Sequence, residues 1–131
     1  MKDQIVLWID YPGNRSQLSA DLSKLVEGHL IQENSSMIRT DLLEYTVLNN
    51  PAYDEEKRKE LDGGFFHYKF YCEIEPLEAI NSEILTRIKT ELSQLLLDIW
   101  EAHIPAVISA DFEDELPEKG GYLSLKTPKP L

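Results

Sequence analysis

Only a few residues in this chain have side chains suited to chemistry. The acid–base constellation that can be assembled from them is His67 with Tyr71 and either Asp10 or Asp111. On one extended strand His67 and Tyr71 lie about 13 Å apart, too far for a direct hydrogen bond. Metal-binding types are His29, His67, His103, Cys72 and the run Asp111, Glu113, Asp114, Glu115. His67 and Cys72 have opposite strand parity, so they point to opposite sides of a sheet and cannot share an ion. No Cys-x-x-Cys or His-Glu-x-x-His spacing occurs, and the acidic run lacks the glycine that a calcium loop needs at its sixth position. A Gly-x-Ser-x-Gly nucleophile elbow is also missing. Cys72 stands among aromatic residues, where a thiol acts as a small hydrophobe. The turn Gly13-Asn14-Arg15-Ser16 could offer backbone N–H groups to a small anion, although helix capping accounts for the same residues. The chain is therefore expected to hold no metal and no cofactor and to have no catalytic residue.

Charge narrows the partner instead. The 131 residues carry 13 Lys and Arg against 24 Asp and Glu, a formal charge of -11. Residues 1–72 hold 12 acids and 8 bases, residues 73–118 hold 12 acids with only Arg87 and Lys89, and residues 119–131 hold three Lys and no acid. A long acidic stretch repels phosphate and attracts basic surfaces, which argues against nucleic acid and anionic membrane as ligands. One cysteine excludes an internal disulfide framework and fits a reducing compartment. No apolar run approaches the ~20 residues that span a bilayer, and the first residues lack the apolar core of a signal peptide, so a cytoplasmic location is expected.

The elements that must position these residues follow from periodicity. Residues 5–9 form an apolar strand closed by Tyr11-Pro12-Gly13-Asn14, with Ser16 as the expected cap of the next helix. Leu18, Leu22, Leu25, Val26, His29 and Leu30 recur at helical spacing, and Asn34-Ser35-Ser36 reads as a loop. A strand is expected over 39–48, with Leu43, Tyr45 and Val47 or their neighbours Leu42, Glu44 and Thr46 inward. Another is expected over 65–75, with Phe66, Tyr68, Phe70, Cys72 and Ile74 on one side. Ile80 to Ile99 marks a long amphipathic helix ended by Pro105, and 106–112 reads as the last strand.

The order β-α-β-β-α-β predicts an α+β, ferredoxin-like sandwich of one domain over residues 1–116: a four-stranded antiparallel sheet with both helices on one face, followed by an irregular tail over 117–131. Trp8, Phe65, His67 and Tyr71 then share the uncovered face with Asp111. Such an aromatic patch marks a contact surface. Its placement is similar to the base-stacking platform of RNA-binding domains, but Gly63-Gly64-Phe65-Phe66 lacks the basic residue and the basic surround of those domains. The expected function is a non-catalytic acidic module that binds a basic protein, as an immunity protein or inhibitor binds a toxin or nuclease. Trp8, Phe65, His67, Tyr71 and Asp111 form its patch, with Asp114 and Glu115 as steering charges. The alternative is a small enzyme or ligand-binding domain that dimerises through the open face and has a pocket near His29, Tyr45 or Tyr68. A homodimer through that face is the third expectation.

Overall fold

The computed structural model describes residues 4–31 and 36–131. Eight principal elements follow one another: β1 (Ile5–Ile9), α1 (Arg15–Leu25), β2 (His29–Leu30), β3 (Met37–Arg39), β4 (Leu43–Asn49), β5 (Phe70–Pro76), α2 (Ser82–Glu101) and β6 (Ala106–Ser109). The strands form one antiparallel sheet in the order β2-β3-β4-β5-β1-β6. The α+β class holds, but the expected four-stranded ferredoxin-like sheet is corrected to a six-stranded open one.

The added hairpin has two local causes. At the end of α1 the Gly28 N–H donates to the Ser23 carbonyl and the Glu27 N–H to the Lys24 carbonyl. This is a Schellman stop, with Glu27 in the left-handed region (φ 54°). The apolar stripe continues to Leu30, but the helix ends at Leu25 and the chain turns into β2. The predicted 39–48 strand is in turn split by Thr40, whose Oγ1 accepts the N–H groups of Leu42 and Leu43. A third correction concerns 65–75, where Gly63 (φ 80°) starts a single helical turn over Gly64–His67 and the strand begins only at Phe70. Asn50 fixes that turn by donating its side-chain amide to the Phe66 and Tyr68 carbonyls. At α1 the cap is Asn14 rather than Ser16, in a reciprocal capping box with Gln17. Asn34 and Ser35 of the expected loop lie outside the described residues.

Register sorts the side chains by face. Ile5 pairs Ile74, Leu7 pairs Cys72 and Ile9 pairs Phe70, while Leu7 and Ile9 meet Ile108 and Ala106 on the other flank. Tyr45 and Val47 continue the same rows from β4, so Leu43, Tyr45 and Val47 are the inward set. Leu18 and Leu22 of α1 and Ile88, Leu92, Leu95, Leu96 and Ile99 of α2 close over this face in one apolar core. Beyond β6, residues 117–121 bring Gly120 and Gly121 (φ 82° and 91°) against the Ile108 and Ala106 carbonyls, where a Cβ would approach within 2.4 and 2.9 Å. The Ala106 carbonyl also accepts the Trp100 indole N–H at 3.0 Å.

α2 ends as α1 does, with His103 in the left-handed region (φ 62°) and the Ile104 N–H donating back to Ile99. A side chain there is strained, and glycine is not. His103→Gly is expected to raise unfolding free energy by about 0.5 to 1 kcal/mol after the added unfolded-state entropy is deducted, as read by urea denaturation. A decrease would show that the His103 side chain is itself stabilising. Leu7→Ala, at a fully buried central position, is expected to cost about 2 to 5 kcal/mol in the same assay.

Candidate functional site

The face of the sheet that no helix covers carries Val6 and Trp8 of β1, Tyr71 and Glu73 of β5, Thr46 and Leu48 of β4, and Val107 and Ser109 of β6, all in register. Trp8 is the hub of an aromatic cluster. Its ring lies 5.5 Å from Tyr71, 5.9 Å from Phe65 and 5.2 Å from Phe66, the last two edge-on. Phe65 stacks on Phe66 at 4.2 Å and meets Tyr122 edge-on at 5.5 Å. The Trp8 indole N–H makes a long bond to Ser109 Oγ at 3.4 Å, so its polar tip stays on the face. Phe65 is buried beside Tyr68 and Val107, whereas Phe66 remains 48% exposed and Tyr122 39% exposed. Leu61, Leu123 and Leu125 add further exposed apolar surface.

The expected patch is thus brought together in part. Trp8, Phe65 and Tyr71 meet as anticipated, and Phe66 and Tyr122 join them. Strict alternation had placed Phe66 in the core, and the signal against that reading was Gly63-Gly64, which breaks the strand just before it. Tyr122 lies in the segment 117–131, where no periodicity announces it. His67 is half-buried in the loop leading to β5, with its Nδ1 2.9 Å from the Ala52 carbonyl, a structural bond that holds the 51–69 loop. Asp111 follows β6 in a turn rather than extending it. Asp114 and Glu115 lie on the helix side: Glu115 is 3.0 Å from Lys89 of α2, and Leu116 belongs to the core beneath the helices. His29 and Tyr68 line two separate clefts, His29 with Arg39, Thr40 and Glu91 and Tyr68 with Phe65 and Val107. His29 is exposed on β2, Tyr45 is in the helix-side core, and Tyr68 is on the other side with Phe65.

Acidic residues border the aromatic cluster. Glu73 and Glu75 of β5 follow Tyr71 on the same face, and Glu44 stands across from Glu75 on β4. Arg39 of β3 pairs with Glu44 at 2.6 Å.

Two polar networks support the frame. Glu91 of α2 accepts the Tyr45 hydroxyl at 2.6 Å and the Thr40 hydroxyl at 3.1 Å, which satisfies a tyrosine inside the core. Burial, reinforced by the Glu91 charge, raises the Tyr45 pKa well above the ordinary phenol value. At the far end of β1, Asp10 pairs with Arg58 at 2.5 Å, each side chain only 11% exposed. Asp10 also accepts the Lys69 N–H at 3.2 Å. Asp10 is therefore tied into the frame, and His67 bonds a different partner, so no proton relay links them. Burial pushes the Cys72 thiol up to about 12, which keeps it protonated and inert. Among the described residues no group of three or more His, Cys, Asp or Glu is placed to hold a metal ion, and no helix is long and apolar enough to cross a membrane.

Comparison with known proteins adds no assignment, since no family model, curated protein or solved structure matches this chain.

Two outcomes follow from the networks. Asp10→Asn leaves Arg58 buried beside a neutral partner and is expected to lower stability by about 3 to 5 kcal/mol, as read by chemical denaturation. Burial first, then the Asp10 charge, raises Tyr68 from 10.0 to about 12. The folded state therefore holds that proton more tightly than the unfolded chain does. Its contribution is complete below pH 10 and is lost as pH rises toward 12. Tyr68→Phe should flatten that alkaline loss in melts run across this window, and an unchanged slope would assign the loss to other groups.

Proposed function

We propose that the protein is a non-catalytic binding module whose open sheet face docks a positively charged protein, in the manner of an inhibitor or immunity protein. The observation that carries this reading is the aromatic cluster around Trp8, left partly exposed on the sheet face opposite α1 and α2 and bordered by Glu73, Glu75 and Glu44. Aromatic side chains supply affinity once water is excluded, and a fixed acidic border accelerates encounter with a basic partner and rejects acidic ones. The net charge of -11 extends the same field beyond the contact. Asp114 and Glu115, on the helix side, belong to this wider field and not to the patch. Two of the partly buried carboxylates are committed to structural partners, Asp10 to Arg58 and Glu91 to Tyr45. That favours binding over catalysis.

Self-association through the same face is the second reading, favoured by Leu61, Leu123 and Leu125, which extend the apolar surface. Phe66 separates the readings best because its ring, 48% exposed, is the most accessible of the cluster. The unaltered protein should capture a basic protein at low salt and release it at high salt. Phe66→Ala and Glu73→Lys should each weaken that capture at least tenfold with far-UV spectra unchanged. A salt-resistant dimer in light scattering that Phe66→Ala converts to monomer would instead establish self-association. Capture that neither substitution affects would remove this face from the account.

A further inference from the structure

A separate cleft of about 330 Å³ lies at the end of the sheet where β1 finishes and β5 and β6 begin. Tyr11, Pro12, Tyr53 and Pro105 give it ring-faced walls, Arg58 and Lys69 give it positive charge, and the carboxylates of Asp10 and Glu55 also line it, Glu55 3.9 Å from the Arg58 Nη2. The chain's own Lys129, Pro130 and Leu131 line its remaining side. The guanidinium of Arg58 is the informative group. Its Nη1 is committed to Asp10 at 2.5 Å, and its Nη2 donates to the Leu131 main-chain oxygen at 2.6 Å. Its Nε is buried and has no hydrogen-bond partner.

Nε–H and the adjacent Nη2–H of arginine point the same way and form a fork matched to the two oxygens of a carboxylate. In this structure the Leu131 main-chain oxygen uses one prong of that fork. The buried second donor has a strong demand for an acceptor. Asp10 holds the guanidinium from its opposite edge and so fixes the direction in which the fork faces. The walls suit the residues that precede such a carboxylate. Proline-containing segments are pre-extended and dock on aromatic surfaces with little entropy left to lose, and Pro128-Lys129-Pro130 of this chain is such a segment. Lys69, whose Nζ is 3.2 Å from the Gly13 carbonyl, adds a second positive charge at the cleft.

We propose that this cleft is a peptide pocket that reads a carboxylate at the end of a short proline-containing segment, with the Nε and Nη2 groups of Arg58 as the reading fork. Residues 129–131 of the chain line it in cis and compete for the Arg58 fork with a carboxylate-ended peptide supplied in trans.

The test uses the peptide acetyl-Thr-Pro-Lys-Pro-Leu as free acid and as C-terminal amide. Each is titrated into the full chain and into the full-length variant P128G/P130G, whose loosened tail competes less. The Arg58 Nε–Hε resonance is the direct readout. The free acid should bind the loosened chain at least tenfold more tightly than the amide and move that resonance downfield, and the unaltered chain should bind the same acid more weakly. Arg58→Lys keeps the charge but removes the fork, and should abolish the preference for acid over amide. Should that variant fail to fold, the acid–amide difference with Arg58 intact decides alone. Equal affinity for acid and amide, no binding of either by the loosened chain, or an unmoved Arg58 resonance would each overturn the assignment.

Discussion

Everything in this fold depends on the antiparallel register of β1 against β5. Ile5 opposite Ile74, Leu7 opposite Cys72 and Ile9 opposite Phe70 give one row of apolar side chains to the helices. The same register leaves Trp8 beside Tyr71 on the other face. A slip of one residue would send Trp8 into a core with no room for it and expose three aliphatic residues. Core and patch are thus two consequences of a single pairing. β4 and β6 extend the inward row without altering its parity.

The second constraint is electrostatic and acts at the end of the sheet. Asp10 leaves β1 and meets Arg58, which arrives from the long connection between β4 and β5. That connection has little regular structure, yet Asn50, His67 and Arg58 tie it down at three points. Phe65 and Phe66 are delivered to the open face because this loop is held. The aromatic cluster is therefore as much a product of polar bonds as of apolar contact.

The sequence was most legible where a period was sustained. The face assignments of 5–9, of 70–76 and of the long second helix were readable because burial imposes a strict period of two or 3.6. Legibility failed where one side chain outweighed the pattern. Glu27 stops α1 in a conformation usually left to glycine, so the stripe through Leu30 reads as helix when it is not. Thr40 divides one predicted strand into two by accepting backbone N–H groups that a continuous strand would have paired elsewhere. Around the aromatic patch, Trp8 and Tyr71 were legible from parity. Phe65, Phe66 and Tyr122 were not, because the first two belong to a helical turn and the third reaches the loop that carries this turn across about 60 residues, as its bond to Asp62 illustrates. The Asp10 to Arg58 pair spans 48 positions and leaves no local signature at all.

The approach of Gly120 and Gly121 to the outward carbonyls of β6 bears on how the molecule avoids sticking to itself. An open sheet has two raw borders, and each invites another strand to add on. Here one border is a two-residue strand, too short to template an addition, and the other is already met by the Trp100 indole and by a glycine backbone that leaves no space for a newcomer. Growth by strand addition, the route to fibrils, is thereby obstructed at both ends. A substitution as small as Gly120→Ala would force that backbone away from β6 and uncover the border, so its effect would be felt less in the stability of the monomer than in its tendency to precipitate.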